Sequence, residues 1–245
     1  MPRIPKWFGN AMETVFSGMI HPVTVTKTEF LDEKLLKVCF QGDFSKINFI
    51  PGNVIEFRVS DNEFRHYTPS VFDVEHGVCE ILFYLHDGGI GSNWVTQLSA
   101  NDCIKLIGPG GKINYNEKLK HHFFFGDETS LSLFYCMKNA VLKNNQTYLC
   151  VLEMDEEHED WPGQLGILAD IVPKSHNDPA KAAIIKIEDL QHDIRSHDPF
   201  WEDIVFYLTG RAKSIQAVRK VILSWGISTK RIQTEPYWAE GKKGL

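Results

Sequence analysis

Arg65-His66-Tyr67-Thr68 is the stretch of this chain whose residue types can do chemistry together. On a strand, Arg65 and Tyr67 share one face. A guanidinium placed there can take a pyrophosphate bidentately. A phenol ring can stack on a flat heterocycle, and Thr68 can hydrogen-bond beside it. Downstream, Gly89-Ile90-Gly91-Ser92-Asn93-Trp94 supplies small residues opening a helix over 92–98. Free backbone N–H groups and the helix dipole attract phosphate at such a start. A flavin nucleotide suits this pairing, since it carries a flat ring on a phosphate. Each run has a plainer reading, an ordinary strand end and a capped turn. The two in this order, flanked by strands, point to a flavoprotein.

The elements that must position these residues fall into two halves. From Val23 to Lys112, apolar and β-branched runs at 23–26, 35–40, 54–59, 78–85 and 102–107 are separated by Gly, Asp, Asn and Pro turns. Short strands at this spacing predict a small antiparallel, Greek-key barrel. From His122 onward the rhythm becomes strand–helix alternation. Strands are expected at Phe123-Phe124-Phe125, 147–154, 182–187, 204–208 and 232–234. Helices are expected at 131–142, capped by Thr129 or Ser130, and at 212–225, with Ile215, Val218, Ile222 and Trp225 on one face. That is a Rossmann-like parallel α/β layout. The boundary falls in the polar stretch 112–121, dividing the chain into residues 1–115 and 116–245. Ile4, Trp7, Phe8, Met12, Val15, Phe16 and Met19 predict a short amphipathic N-terminal helix packing on the body, with membrane contact as the alternative.

Composition excludes several classes. The chain has 245 residues, 43% of them apolar, and a formal charge of −6. That balance argues against a general nucleic-acid binder. Charge is uneven: 14 acidic and 4 basic side chains in 151–210, then 8 basic and 2 acidic in 211–245. The basic end is a candidate landing area for an anion, or a solvated helix face. Five scattered cysteines without a C-x-x-C pair disfavour a disulfide framework, a zinc ribbon or an iron–sulfur cluster. They suit a reduced, cytoplasmic protein. No apolar run approaches a membrane span. His121 and His122 point to opposite faces of a strand, and no H-x-x-x-H or H-E-x-x-H spacing occurs, so no protein-ligated metal is expected, with a weak site at His158 in its acidic loop as the alternative.

A barrel with a flavin motif followed by a dinucleotide-type domain resembles the ferredoxin-reductase superfamily. Within it the chain resembles the siderophore-interacting proteins, FAD-dependent ferric-siderophore reductases. The matching pieces are Arg65-His66-Tyr67-Thr68, Leu85-His86-Asp87-Gly88-Gly89-Ile90-Gly91-Ser92-Asn93-Trp94, Gly108-Pro109-Gly110-Gly111, Gly126-Asp127-Glu128-Thr129-Ser130-Leu131 and Tyr237-Trp238-Ala239-Glu240-Gly241. The resemblance implies FAD in the barrel, NAD(P)H as co-substrate at the second domain, and a ferric siderophore in the groove between them. Hydride would pass from NAD(P)H to FAD and single electrons to Fe(III), releasing iron, in a cytoplasmic monomer. It places Arg65, Tyr67, Thr68, Gly91, Ser92 and Asn93 on the flavin. His86 joins them, or is a strand-end histidine making backbone bonds. Asp127, Glu128, Thr129 and Gly210 fall on the nucleotide side.

An anionic chelate needs positive charge. Lys242 and Lys243, after the Tyr-Trp-x-x-Gly match, are the first candidates, followed by Arg231 and Arg211. Trp238 is the best candidate for an aromatic wall. Gly126-Asp127-Glu128-Thr129 lacks the second glycine of a dinucleotide fingerprint and carries two acids. Carboxylates there repel phosphate, so a nucleotide held loosely or with its phosphates displaced is expected. Glu153, at a strand end, could accept ribose hydroxyls and favour NADH, or be a surface acid. The chain also departs from the family pattern. Pro69 and Ser70 replace the usual x-Arg after Tyr-Thr, and Arg211 follows Gly210 where Gly-Glu is usual. Residues 182–190 lack a Trp-x-x-Arg element. A general flavin or electron-carrier reductase and a non-enzymatic ferric-siderophore binder are the rival readings.

Overall fold

Alternating burial builds the first half of the chain. The computed structural model describes residues 19–175, 177–195 and 203–242. The expected N-terminal helix, read from Ile4 to Met19, lies outside them except for Met19, as do Trp201 and Lys243. The chain divides between Gly111 and Lys112 into two compact units. The first holds β1 (Ile20–Asp32), β2 (Leu35–Gly42), β3 (Val54–Ser60), β4 (Glu63–Tyr67), β5 (Val71–Asp73), β6 (Val78–Tyr84), the short helix α1 (Ile90–Val95) and β7 (Cys103–Gly110). Every pairing among these strands is antiparallel, in the order β4-β3-β7-β1-β2-β6-β5. The sheet curls into a half-barrel. Residues two apart point inward, as the strand period requires: Val23 and Val25, Leu36, Val38 and Phe40, Ile55 and Phe57, with Val95 of α1 packed against them.

The second unit rests on the near-continuous apolar runs that a strand covered on both faces needs. It contains β8 (His121–Gly126), α2 (Leu131–Lys143), β9 (Thr147–Met154), the one-turn helix α3 (Trp161–Gln164), β10 (Asp170–Pro173), α4 (Lys181–Arg195), β11 (Ile204–Arg211), α5 (Ala212–Ser224) and β12 (Ile232–Trp238). The strands are all parallel, in the order β10-β9-β8-β11-β12. Phe123, Phe125, Phe206 and Leu208 are buried in one core cluster with Ile215, Val218 and Ile222 of α5, and Trp225 packs against it.

Two expectations change here. Residues 182–187 are not a strand but part of α4. Ala183, Ile187 and Leu190 pack together on the core while Ile185 is exposed, which is helical and not alternating spacing. The third strand of the sheet is instead β10, a four-residue edge ending in Pro173. Proline suits an edge because it cannot donate to a further ladder. Among the described residues no helix is long and apolar enough to cross a membrane.

His122 is fully buried between the rings of Tyr115 and Tyr207, at centroid distances of 5.3 and 5.9 Å. Its Nε2 faces two acceptors, the Leu119 carbonyl at 3.1 Å and Gln146 Oε1 at 3.0 Å, while Nδ1 has no partner among the described residues. Burial therefore holds its pKa below the ordinary 6.5. Below pH 6.5 the unfolded chain takes up this proton more readily than the fold does. The stability His122 contributes is thus complete above pH 6.5 and is lost as pH falls through that value toward its lower folded pKa. A His122→Gln variant should show a shallower loss of stability than the parent between about pH 6.5 and 5 in urea titrations. Parallel curves would refute this.

Candidate functional site

In the first unit the local fold brings three of the expected flavin residues together. β4 sets Arg65 and Tyr67 on one face. The Tyr67 ring meets Phe83 edge-on, with centroids 4.7 Å apart, and lies 6.3 Å from Phe57. Burial raises its hydroxyl pKa well above the ordinary value, so the ring is neutral. Its hydroxyl abuts the first turn of α1: a Cβ on Gly91 would sit 2.2 Å from Tyr67 Oη and 3.7 Å from Arg65 Cγ. Only glycine permits so close an approach.

α1 starts with no side-chain cap and no acid in its first turn, which leaves its opening N–H groups directed outward. Arg65 is one-fifth exposed and lightly held, donating to the Phe64 carbonyl at 2.7 Å and lying 3.5 Å from Glu63. These residues fit a flavin nucleotide: a neutral aromatic ring, a partly exposed cation and a wall kept open by glycine.

The neighbouring residues brace this arrangement. Ser92 Oγ accepts the His86 N–H at 3.1 Å, and a Cβ on Gly89 would strike the His86 ring at 2.4 Å. His86 thus packs under the glycine loop. Asn93 donates its backbone N–H to Gly89 at 2.9 Å. Thr68 is buried. Ser70, where the family pattern has arginine, is buried and donates both N–H and hydroxyl to the Glu80 carbonyl, at 2.8 and 3.0 Å. That position is tied to β6. The opposite face of β3 and β4 carries a shallow cavity lined by Met19, Val54, Glu56, Phe64, His66 and Pro109.

In the second unit the strand order reverses between β8 and β11. Open α/β sheets bind ligands outside the carboxyl ends of their strands at such a switch point. The ends here are Gly126-Asp127 and Gly210-Arg211. Asp127 is buried. It accepts the Thr129 N–H at 3.0 Å and the Thr129 hydroxyl on one oxygen, and the Trp238 Nε1–H at 2.7 Å on the other. Burial and the adjacent Glu128 push its carboxyl above the usual range. Asp127 and Ser130 form a reciprocal capping box. The turn that would cradle a pyrophosphate therefore spends its donors on its own side chains.

Glu128 points away from this crevice. It accepts the Asp155 N–H at 2.8 Å, lies 3.3 Å from His158 Nδ1 and is ion-paired with Lys174, whose Nζ also reaches Asp155 at 3.3 Å. Glu128, Asp155 and His158 could together hold a metal ion; the Lys174 ammonium lies among the same carboxylates. Lys174 escaped the sequence reading. Its signal was there, as one of only four basic residues in the acidic stretch 151–210.

Glu153 is buried and accepts the Ala180 N–H at 2.9 Å beside the start of α4. Burial pushes its pKa up, and the carboxylate is neither on the surface nor free for a ribose. Arg211 is buried as well, donating to the Ser175 carbonyl and to Glu240, with its guanidinium 5.7 Å from the Trp238 ring centroid. Lys242 is exposed. Arg231 lies at the amino end of β12, opposite the end that carries Trp238. A seven-residue strand spans roughly 20 Å, so Arg231 is set apart from the others.

An antiparallel half-barrel followed by a five-stranded parallel sheet is a ferredoxin-reductase-like fold. Residues 22–115 match the family model for the oxidoreductase FAD-binding domain. Residues 119–241 match that for the siderophore-interacting protein, and the chain belongs to that family. The NADPH-dependent ferric-chelate reductase of Escherichia coli (strain K12) is 23% identical over 177 residues, covering 71% of this chain and 65% of that protein. NADH-cytochrome b5 reductase 1 of Dictyostelium discoideum is 29% identical over 82 residues, covering 33% of this chain and 29% of its own length. The chain thus spans less than two thirds of each.

The structure of the siderophore-interacting protein from Acinetobacter baumannii superposes with a TM-score of 0.71 at 19% identity, covering 91% of both chains. The ferredoxin reductase in carbazole 1,9a-dioxygenase gives 0.71 at 16% identity, covering 89% of this chain and 69% of that one.

Proposed function

We propose that the protein is a cytoplasmic ferric-siderophore reductase that draws on NAD(P)H through FAD. The observation that carries this reading is the Arg65–Tyr67–Gly91 cradle in a chain whose second domain matches the siderophore-interacting protein. Bound FAD supplies the conversion between two-electron and one-electron chemistry. The protein's own part is to bind and orient: Arg65 for the flavin phosphates, Tyr67 for the ring, Gly91 for clearance, and Lys242 with Lys243 as positive charge toward an anionic chelate. No general base is called for. The five free cysteines suit a reducing compartment.

An anaerobic absorbance spectrum, taken before and after NADH or NADPH and then after a ferric siderophore, tests the reading. Flavin colour that bleaches with the nucleotide and returns with the chelate is the expected result. A colourless protein that takes up no added FAD would overturn it. The capping box on Asp127 favours a second reading, a ferric-siderophore binder with poor nucleotide use. Persistent flavin colour under excess NADH and NADPH would select it.

Arg65→Ala should weaken FAD binding by about 10- to 100-fold in a fluorescence titration of the apoprotein, since charge-assisted hydrogen bonds contribute about 1.5–3 kcal/mol. Unchanged affinity would remove Arg65 from the flavin phosphates.

A further inference from the structure

We infer that Asp127 and Arg211 are positioning residues: from the two walls of the switch-point crevice they fasten the segment Trp238–Lys242, and so set the place of Lys242. The inference rests on the ferric-chelate reading above, which makes Lys242 a substrate-facing cation. Asp127, at the end of β8, has one oxygen committed to Thr129 and the other to the Trp238 indole. Arg211, at the end of β11, holds Glu240, whose second oxygen also accepts from Lys213 at 2.6 Å. The guanidinium lies over the Trp238 ring.

Two consecutive anchors, an acid on an indole N–H and a base on a carboxylate, thus hold the chain where it leaves β12. The Lys242 N–H then closes a turn onto the Ala239 carbonyl at 3.1 Å, which fixes the lysine relative to both anchors. Gly210 makes the first anchor possible. Its φ is +92°, and a Cβ there would meet the Asp127 carboxylate at 2.6–2.8 Å. Side chains at both carboxyl ends that flank the switch point are thus engaged by the protein's own strap.

The test uses the full-length FAD-loaded protein as Asp127→Asn, Asp127→Ala and Trp238→Phe. Asparagine keeps an oxygen for the indole, and phenylalanine keeps a ring without the N–H. Two readouts are taken: amide hydrogen exchange over residues 238–242, and steady-state kinetics with a ferric tris-catecholate. Asp127→Ala and Trp238→Phe should speed exchange in the strap and raise the chelate KM about tenfold with kcat little changed, the size of one lost buried hydrogen bond. Asp127→Asn, which keeps one oxygen for the indole but turns an NH2 toward the Thr129 N–H, should fall between the parent and Asp127→Ala in both. Strap exchange unchanged in Asp127→Ala and Trp238→Phe would overturn the fastening. A loosened strap with an unchanged chelate KM would overturn the positioning of Lys242. Failure of the parent protein to reduce any ferric chelate would instead remove the reductase reading, while the exchange arm still reports on the anchors.

Discussion

Lys174→Met is expected to lower the stability of the α/β domain by about 3–5 kcal/mol, the cost of breaking a buried ion pair by removing one partner. The Glu128 side chain is fully buried and Lys174 is 7% exposed, so solvent can do little to screen the stranded carboxylate. Glu128 would keep the Asp155 N–H and His158 but lose the ammonium that balances it. Methionine matches the lysine stem in length, so the change in packing is small and the charge dominates. A urea titration followed by tryptophan fluorescence, comparing midpoints at equal slope, measures the effect. Lys181→Met is the control. Lys181 pairs with Asp178 at 3.6 Å with both side chains more than 60% exposed, and such pairs contribute about 0–1 kcal/mol. Equal effects from the two variants would show that Glu128 is held adequately without Lys174.

Gly210→Ala is expected to cost about 2–6 kcal/mol from two independent sources. A φ of +92° is a region that side-chain-bearing residues rarely adopt, and holding one there costs about 1–3 kcal/mol. The added methyl would also press on the Asp127 carboxylate at 2.6–2.8 Å. That group is buried and tied to Thr129 and Trp238, so overpacking adds about 1–3 kcal/mol. Thermal unfolding of the flavin-loaded protein reads the loss. Gly226→Ala separates the two sources, because it has a φ of +82° with nothing within 4 Å of a new Cβ. If both glycines cost the same, the carboxylate yields freely and the packing part of the argument fails.

The two-part architecture and the shared face of Arg65 and Tyr67 were legible in the amino-acid sequence because both rest on short-range periodicity. Alternation of apolar and polar residues over 35–40 and 54–59 dictates which strand faces turn inward. The Arg65–Tyr67 spacing places those two side chains on one face whatever the rest of the chain does. The continuous run Phe123-Phe124-Phe125 requires a strand covered on both sides. The same short range misled at 182–187, where Ala-Ala-Ile-Ile-Lys-Ile reads equally as strand or helix. Only the packing of Ala183, Ile187 and Leu190 onto one core decided for the helix.

The switch-point chemistry was beyond sequence because its partners lie far apart in the chain. Asp127 meets Trp238 across 111 positions, Arg211 meets Glu240 across 29, and Glu128 meets Lys174 across 46. Local pattern gives no sign of which buried charges will find one another. Asp127 and Glu128 thus read as a repelling pair at a phosphate turn, and Arg211 as an open cation. Once the sheet brings its carboxyl ends together, the cost of burying each charge demands a partner, and the fold supplies one for each.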